Sequence, residues 1–237
     1  MKKILSSLAF TLIELLVVIS IIAILASLAI PAVTSALVKG QMTQALNNEK
    51  QVHLATFNMS TDRVSTGDST IGWPGDLMAA SGTVAGVTTV GGFVKILTDN
   101  NYLKPGDLKV FAAAGVIPYS GNSLSITPFK SAASGETNCA YTIYAVGEAD
   151  GASAIFLATT NATIKVDSAT EGTCHFELDS TSKVFGDKGY VIFHRGGDGA
   201  ILGKNQASKI ALQGSLPILT GSSPSAGSGW LNYGNSQ

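Results

Sequence analysis

The sequence predicts an α+β protein in which one long, kinked amino-terminal helix packs on an antiparallel β-sheet head. Three observations carry this reading. Ala9 to Ala32, AFTLIELLVVISIIAILASLAIPA, is an almost unbroken apolar run. Beyond it, apolar residues recur at helical spacing as far as about Phe57. The remainder alternates short apolar stretches with clusters of Gly, Ser, Asn and Asp, the punctuation of strands joined by turns.

The amino-terminal run is long enough to cross a bilayer. Leu15 to Val33 has only Ser20 and Ser27 as mild polar interruptions, against the ~20 mostly apolar residues a spanning helix needs. Lys2 and Lys3, with no acid before Glu14, keep this end in the cytoplasm and send the rest across. Glu14 is expensive there, since a carboxylate within a span costs about 2.5–3.5 kcal/mol on insertion scales. It therefore calls for a partner. Pro31 has no amide hydrogen, so the Ser27 carbonyl loses its helical donor and the helix should kink or locally melt. A secretory signal is the competing reading, with Ser27-Leu28-Ala29 as its cleavage site. The apolar region exceeds the ~7–15 residues of such signals, and an acid near its start is out of place.

From Thr34 to about Phe57, Val38, Met42, Ala45, Leu46, Val52 and Ala55 make an apolar face with polar residues between them. This reads as an amphipathic continuation of the helix that lies on a sheet. His53 is placed on its surface or boundary.

The string FTLIELLVVISIIAILASLAIPA, within a span from about Leu8 to beyond Val38, resembles the amino-terminal segment of type IV prepilins and type II secretion pseudopilins. The resemblance implies a pilin-like fold and cleavage between Ala9 and Phe10 by a prepilin peptidase, followed by methylation of the new amine on Phe10. It puts Glu14 at the fifth mature position, where the family keeps its acid, and Pro31 where the family keeps its kinking proline. Ala9 departs from the usual glycine before the cut. The charges agree with the resemblance: the Phe10 amine of one subunit can reach the Glu14 carboxylate of a neighbour, and in a low-dielectric core that attraction sets register once desolvation is offset.

The implied organisation is a leader over 1–9, a helix over 10–60 and a β-rich head over 61–237. Asn58 to Gly92 reads as a long connecting loop, with Trp73 anchoring it to the domain. Phe93 to Tyr102 reads as a short helix stopped by Pro105-Gly106. Strands are expected at Lys109–Ala113, Tyr141–Val146, Ala154–Thr159, His175–Leu178 and Tyr190–His194, with a last turn or strand near Ile210–Leu212. The tail from Ser222 is low in complexity, although Trp230 and Tyr233 suggest that part of it docks.

Composition narrows the function. Charged residues make up 13% of the 237, about half the share of an average globular protein, which suits an extracytoplasmic β-rich head. The net charge is -1 and no basic stripe follows the apolar run, so nucleic acid is not an expected partner. Cys139 and Cys174 read as a disulfide formed in an oxidising compartment, closing a loop that the chain-entropy model values at roughly 3–4.7 kcal/mol.

No catalytic motif survives inspection. Gly196 to Asn205 has Gly203-Lys204, but Asp198 and Asn205 stand where a phosphate-binding loop needs glycine and Ser or Thr. Gly67-Asp68-Ser69 lacks the strand-turn-helix context of a nucleophile. His175 and His194 lie in or beside expected strands and read as structural. Asp187 and Asp198, with nearby turn carbonyls, form a candidate calcium site, resembling the carboxy-terminal calcium loop of some pseudopilins; no other cofactor is expected.

The expected function is thus a non-enzymatic subunit of a type IV pilus or type II secretion pseudopilus. It sits in the bacterial inner membrane with its head extracytoplasmic, then polymerises with itself or related subunits through the inner-membrane assembly machinery. The alternative is a signal-anchored or secreted hydrolase or binding protein.

Overall fold

The structure, a computed structural model, describes residues 11–79, 87, 89–119, 138–166, 174–208, 212–213 and 232–233. The chain divides into two compact units, Met1–Gly40 and Gln41–Gln237. Helix α1, Leu12–Thr66, contributes to both.

The first unit is the apolar part of α1. Its large side chains from Leu12 to Leu37 are all exposed, Leu12 at 87% and Leu28 at 73%. A helix apolar on every side has no face to give to water. The backbone stays helical through Pro31.

In the second unit, α1 buries Met42, Ala45, Glu49, Val52, His53, Thr56, Met59 and Ser60, a face repeating every three or four residues. It lies against a four-stranded antiparallel sheet of order β1-β2-β5-β6, made of Tyr141–Ile143, Ile155–Thr159, Tyr190–His194 and Gly199–Leu202. Strands β2 and β5 are buried along their whole length, whereas β6 alternates between exposed and half-buried residues, as an edge strand does. Residues Thr160 and Asn161 carry the chain into a second antiparallel sheet of order β3-β4-β7-β8: Ala162–Val166, Cys174–Leu178, Leu212–Gln213 and Asn232–Tyr233. Asn161 fixes that crossing, its buried Nδ2 donating to the Gly186 and Gly189 carbonyls at 2.7 Å each. Tyr233, within the low-complexity tail, pairs with Leu212.

Several elements depart from the sequence-based expectation. The helix expected to end near 57–60 continues to Thr66, because Met59 and Ser60 extend its buried face. It then closes on Gly67, whose left-handed φ of 73° lets its amide donate to the Arg63 carbonyl at 2.9 Å. The expected loop over 58–92 therefore also contains α2, Pro74–Ala79, and the start of α3, Val90–Asp99. Thr89 caps α3 by accepting the Gly92 amide on Oγ1 at 3.1 Å. The strand expected at Lys109–Ala113 is a 3-10 helix, Pro105–Phe111, and Ala112 closes it by donating to Lys109 O at 3.0 Å. Strands β3 and β6 were not expected from the sequence. A short helix, α4, spans Lys204–Ala207.

The centre of the core is aromatic. Trp73, 1% exposed, meets Phe156 edge-on at 5.3 Å between ring centroids, and Phe93 meets the same ring at 6.5 Å. Anchoring is thus the role of Trp73. Removing so large a buried side chain leaves a cavity, and Trp73→Ala should lower unfolding stability by about 3–5 kcal/mol, read as an earlier midpoint in urea with α1 still helical by circular dichroism.

Candidate functional site

The start of α1 is where sequence and geometry meet. Thr11 precedes the first helical residue, and its amide and Oγ1 both donate to Glu14 Oε2, at 2.9 and 2.7 Å. The Glu14 amide in turn reaches Thr11 Oγ1 at 3.3 Å. This is a capping box: Thr at the N-cap and Glu at the third helical position satisfy one another's orphaned donors, while the carboxylate also meets the positive end of the helix dipole. The expensive acid thus has a partner in its own chain. The Thr-x-x-Glu spacing that makes this box is legible in the sequence, although the reading of Glu14 as a membrane cost and an intersubunit partner passes over it. Oε2 takes both bonds, and among the described residues Oε1 takes none. Ala9 and Phe10 lie outside the described residues.

Within the apolar stem, hydroxyls are turned back onto the backbone. Ser20 Oγ donates to Leu16 O at 2.7 Å, Ser27 Oγ to Ile24 O at 2.7 Å, and Thr34 Oγ1 to Pro31 O at 2.9 Å. That is how polar side chains are made compatible with an apolar surrounding. α1 is long and apolar enough to cross a membrane by length and composition.

The other candidates are dispersed. Asp187 pairs with Lys204 Nζ at 2.7 Å, which holds its carboxyl below the usual range. Asp198 accepts from His194 Nδ1 at 2.6 Å. The two carboxylates proposed for calcium thus have different partners, Lys204 and His194, and among the described residues no three His, Cys, Asp or Glu side chains converge as a metal site. Cys139 is a buried free thiol whose Sγ donates to Tyr141 O at 3.2 Å, and burial pushes its pKa up to about 12. The bridge to Cys174 is not formed here: Cys139 leads into β1 of the first sheet, whereas Cys174 opens β4 of the second, with its side chain outside the described residues. Asp68, in the Gly67-Asp68-Ser69 stretch, folds back to accept the Thr70 amide and hydroxyl at 2.8 and 2.7 Å, a turn motif.

His53 is not at the surface. It is 6% exposed and its Nε2–H donates to Arg195 O at 2.8 Å. Phe57, Trp73, Phe156 and Phe193 surround it at 5.1–6.2 Å between centroids. Burial lowers its pKa, so the ring is a neutral structural group. Beside it the Arg195 guanidinium sits 5.4 Å from the Trp73 ring centroid, donates to the Asp150 and Glu148 carbonyls, and pairs with the Glu148 carboxylate at 3.2 Å. On the opposite side of the helix a groove of about 390 Å³ runs between Gln41, Gln44 and Asn48 of α1 and the 109–118 segment.

No curated protein and no solved structure matches this chain. One family model does, the prokaryotic N-terminal methylation motif over residues 6–30, and it identifies this end of the chain as a prepilin-type cleavage and methylation segment.

Proposed function

We propose that this protein is a structural subunit of a type IV pilus or a type II secretion pseudopilus. The observation that carries the reading is the methylation motif continuing directly into a helix whose apolar surface is bare on every side. Such a surface needs cover, first from lipid and then from the same helix of other subunits. In this reading Lys2 and Lys3 hold the leader in the cytoplasm while the head crosses the inner membrane. A prepilin peptidase cuts between Ala9 and Phe10, and the new amine is methylated. The amine of one subunit then approaches the Glu14 carboxylate of its neighbour, where Oε1 is open to it. Charge pairing in an apolar bundle fixes the axial offset of successive subunits. The head unit, with its covalent continuity to the stem, is carried outward as the exposed coat.

Mass spectrometry of the mature amino terminus is the direct test. A chain beginning with N-methylated phenylalanine at Phe10 is the expected result, whereas a start at Ile30 would mean that the segment is an ordinary secretory signal and the protein a secreted one. Two substitutions separate the roles of the capping box. Glu14→Leu should insert and be processed normally yet give few or no filaments by electron microscopy. Thr11→Val removes only the N-cap, costing the helix about 1 kcal/mol, and should leave filaments present in near-normal number.

A further inference from the structure

Glu49 lies four residues after Ala45 and three before Val52, on the buried face of α1, and is fully buried. Neither carboxyl oxygen has a hydrogen-bond partner. Two tyrosines, Tyr141 and Tyr190, lie near enough to feel its charge, and each is committed elsewhere. Tyr141, on β1, bonds to the Ala45 and Ala112 carbonyls at 3.3 and 3.4 Å. Tyr190, on β5, and Tyr144, just past β1, bond to one another. Tyr141 and Tyr190 both feel the charge of Glu49, each being driven upward by it in addition to its own burial.

Among the described residues a carboxylate there has no hydrogen-bond donor, and a buried charge without one is costly. Desolvation accordingly holds the Glu49 carboxyl well above the usual carboxylate range. We propose that Glu49 is a proton-operated latch between α1 and the first sheet: with its proton it stays docked among the tyrosines, and loss of that proton to solvent frees the α1 face from the sheet.

The sign follows from linkage. Docked α1 holds one proton that the undocked helix gives up wherever the pH lies between the ordinary glutamate value, about 4.3, and the raised value of the docked group. Across that window docking weakens as pH rises, and below it docking is independent of Glu49. The other groups facing this interface do not imitate the effect. His53, one turn further along α1 and influenced by Asp198 and Arg195, has a lowered pKa, so its contribution weakens docking as pH falls. The pKa values of Tyr141, Tyr144, Tyr190 and Cys139 are all raised, so they stay protonated through neutral pH.

Amide hydrogen exchange of the full chain in detergent micelles, corrected for intrinsic rates and followed over Met42 to Ser60 from pH 5 to 8, tests this. In the wild type the opening equilibrium should rise about tenfold per pH unit. Glu49→Gln, which copies the protonated acid, should flatten that rise and leave the helix better protected at pH 8, as should Glu49→Leu. A flat wild-type profile, or the same slope in both variants, overturns the latch. If neither variant folds, the wild-type profile decides alone, since His53 bends it in the opposite direction.

Discussion

At His53 a hydrogen bond from α1 to the Arg195 carbonyl, in the turn between β5 and β6, is enclosed by four aromatic rings. A polar contact shielded from water is hard to exchange for solvent and specifies one register of helix on sheet. Much of the head refers back to that point. Trp73 brings the segment before α2 onto it, Phe156 and Phe193 bring β2 and β5, and Arg195 draws in the turn containing Glu148 and Asp150. Ser60, two turns further along the helix, donates to Glu148 Oε2 at 2.8 Å and fastens the same turn a second time.

The helix is thus asked to satisfy two surroundings with one backbone. Up to Leu37 it offers apolar side chains in every direction; from Met42 onward it offers one buried face and one wet one. Neither half could exchange places with the other. An all-round apolar surface has no reason to select a sheet over lipid, and a face containing Glu49 and His53 would be penalised in hydrocarbon. The change of pattern along the sequence is therefore also a change in the kind of surface the helix presents, and the resemblance to prepilins rests on the first half alone.

Much of this was legible in the residues. The stem followed from composition, the amphipathic continuation from spacing, and β2, β4 and β5 from short apolar runs between turn formers. What escaped had local causes. Lys109–Ala113 reads as a strand by its Val and Phe, but the proline start at Pro105 and i to i+3 bonds such as Ala112 to Lys109 make Pro105–Phe111 a 3-10 helix. β6 is an edge strand of four small or aliphatic residues, too short to announce itself. The buried positions of Glu49 and His53 were hidden by chemistry rather than by spacing. Ala45 and Val52 leave a gap that only position 48 or 49 can fill, and a rule that expects apolar residues there passes over a glutamate. At the candidate site, Glu14 was found at once, whereas its Thr11 partner was overlooked.

The capping box at Thr11 bears on timing. Its donors are the Thr11 amide and hydroxyl, and both lie on the carboxyl side of the bond between Ala9 and Phe10. In the proposed maturation, cutting that bond leaves the Thr11 donors and the Glu14 carboxylate together in one chain. On the proposed reading the capping box belongs wholly to the mature chain, so the pair that closes the first turn of the precursor is still there to close it after the cut.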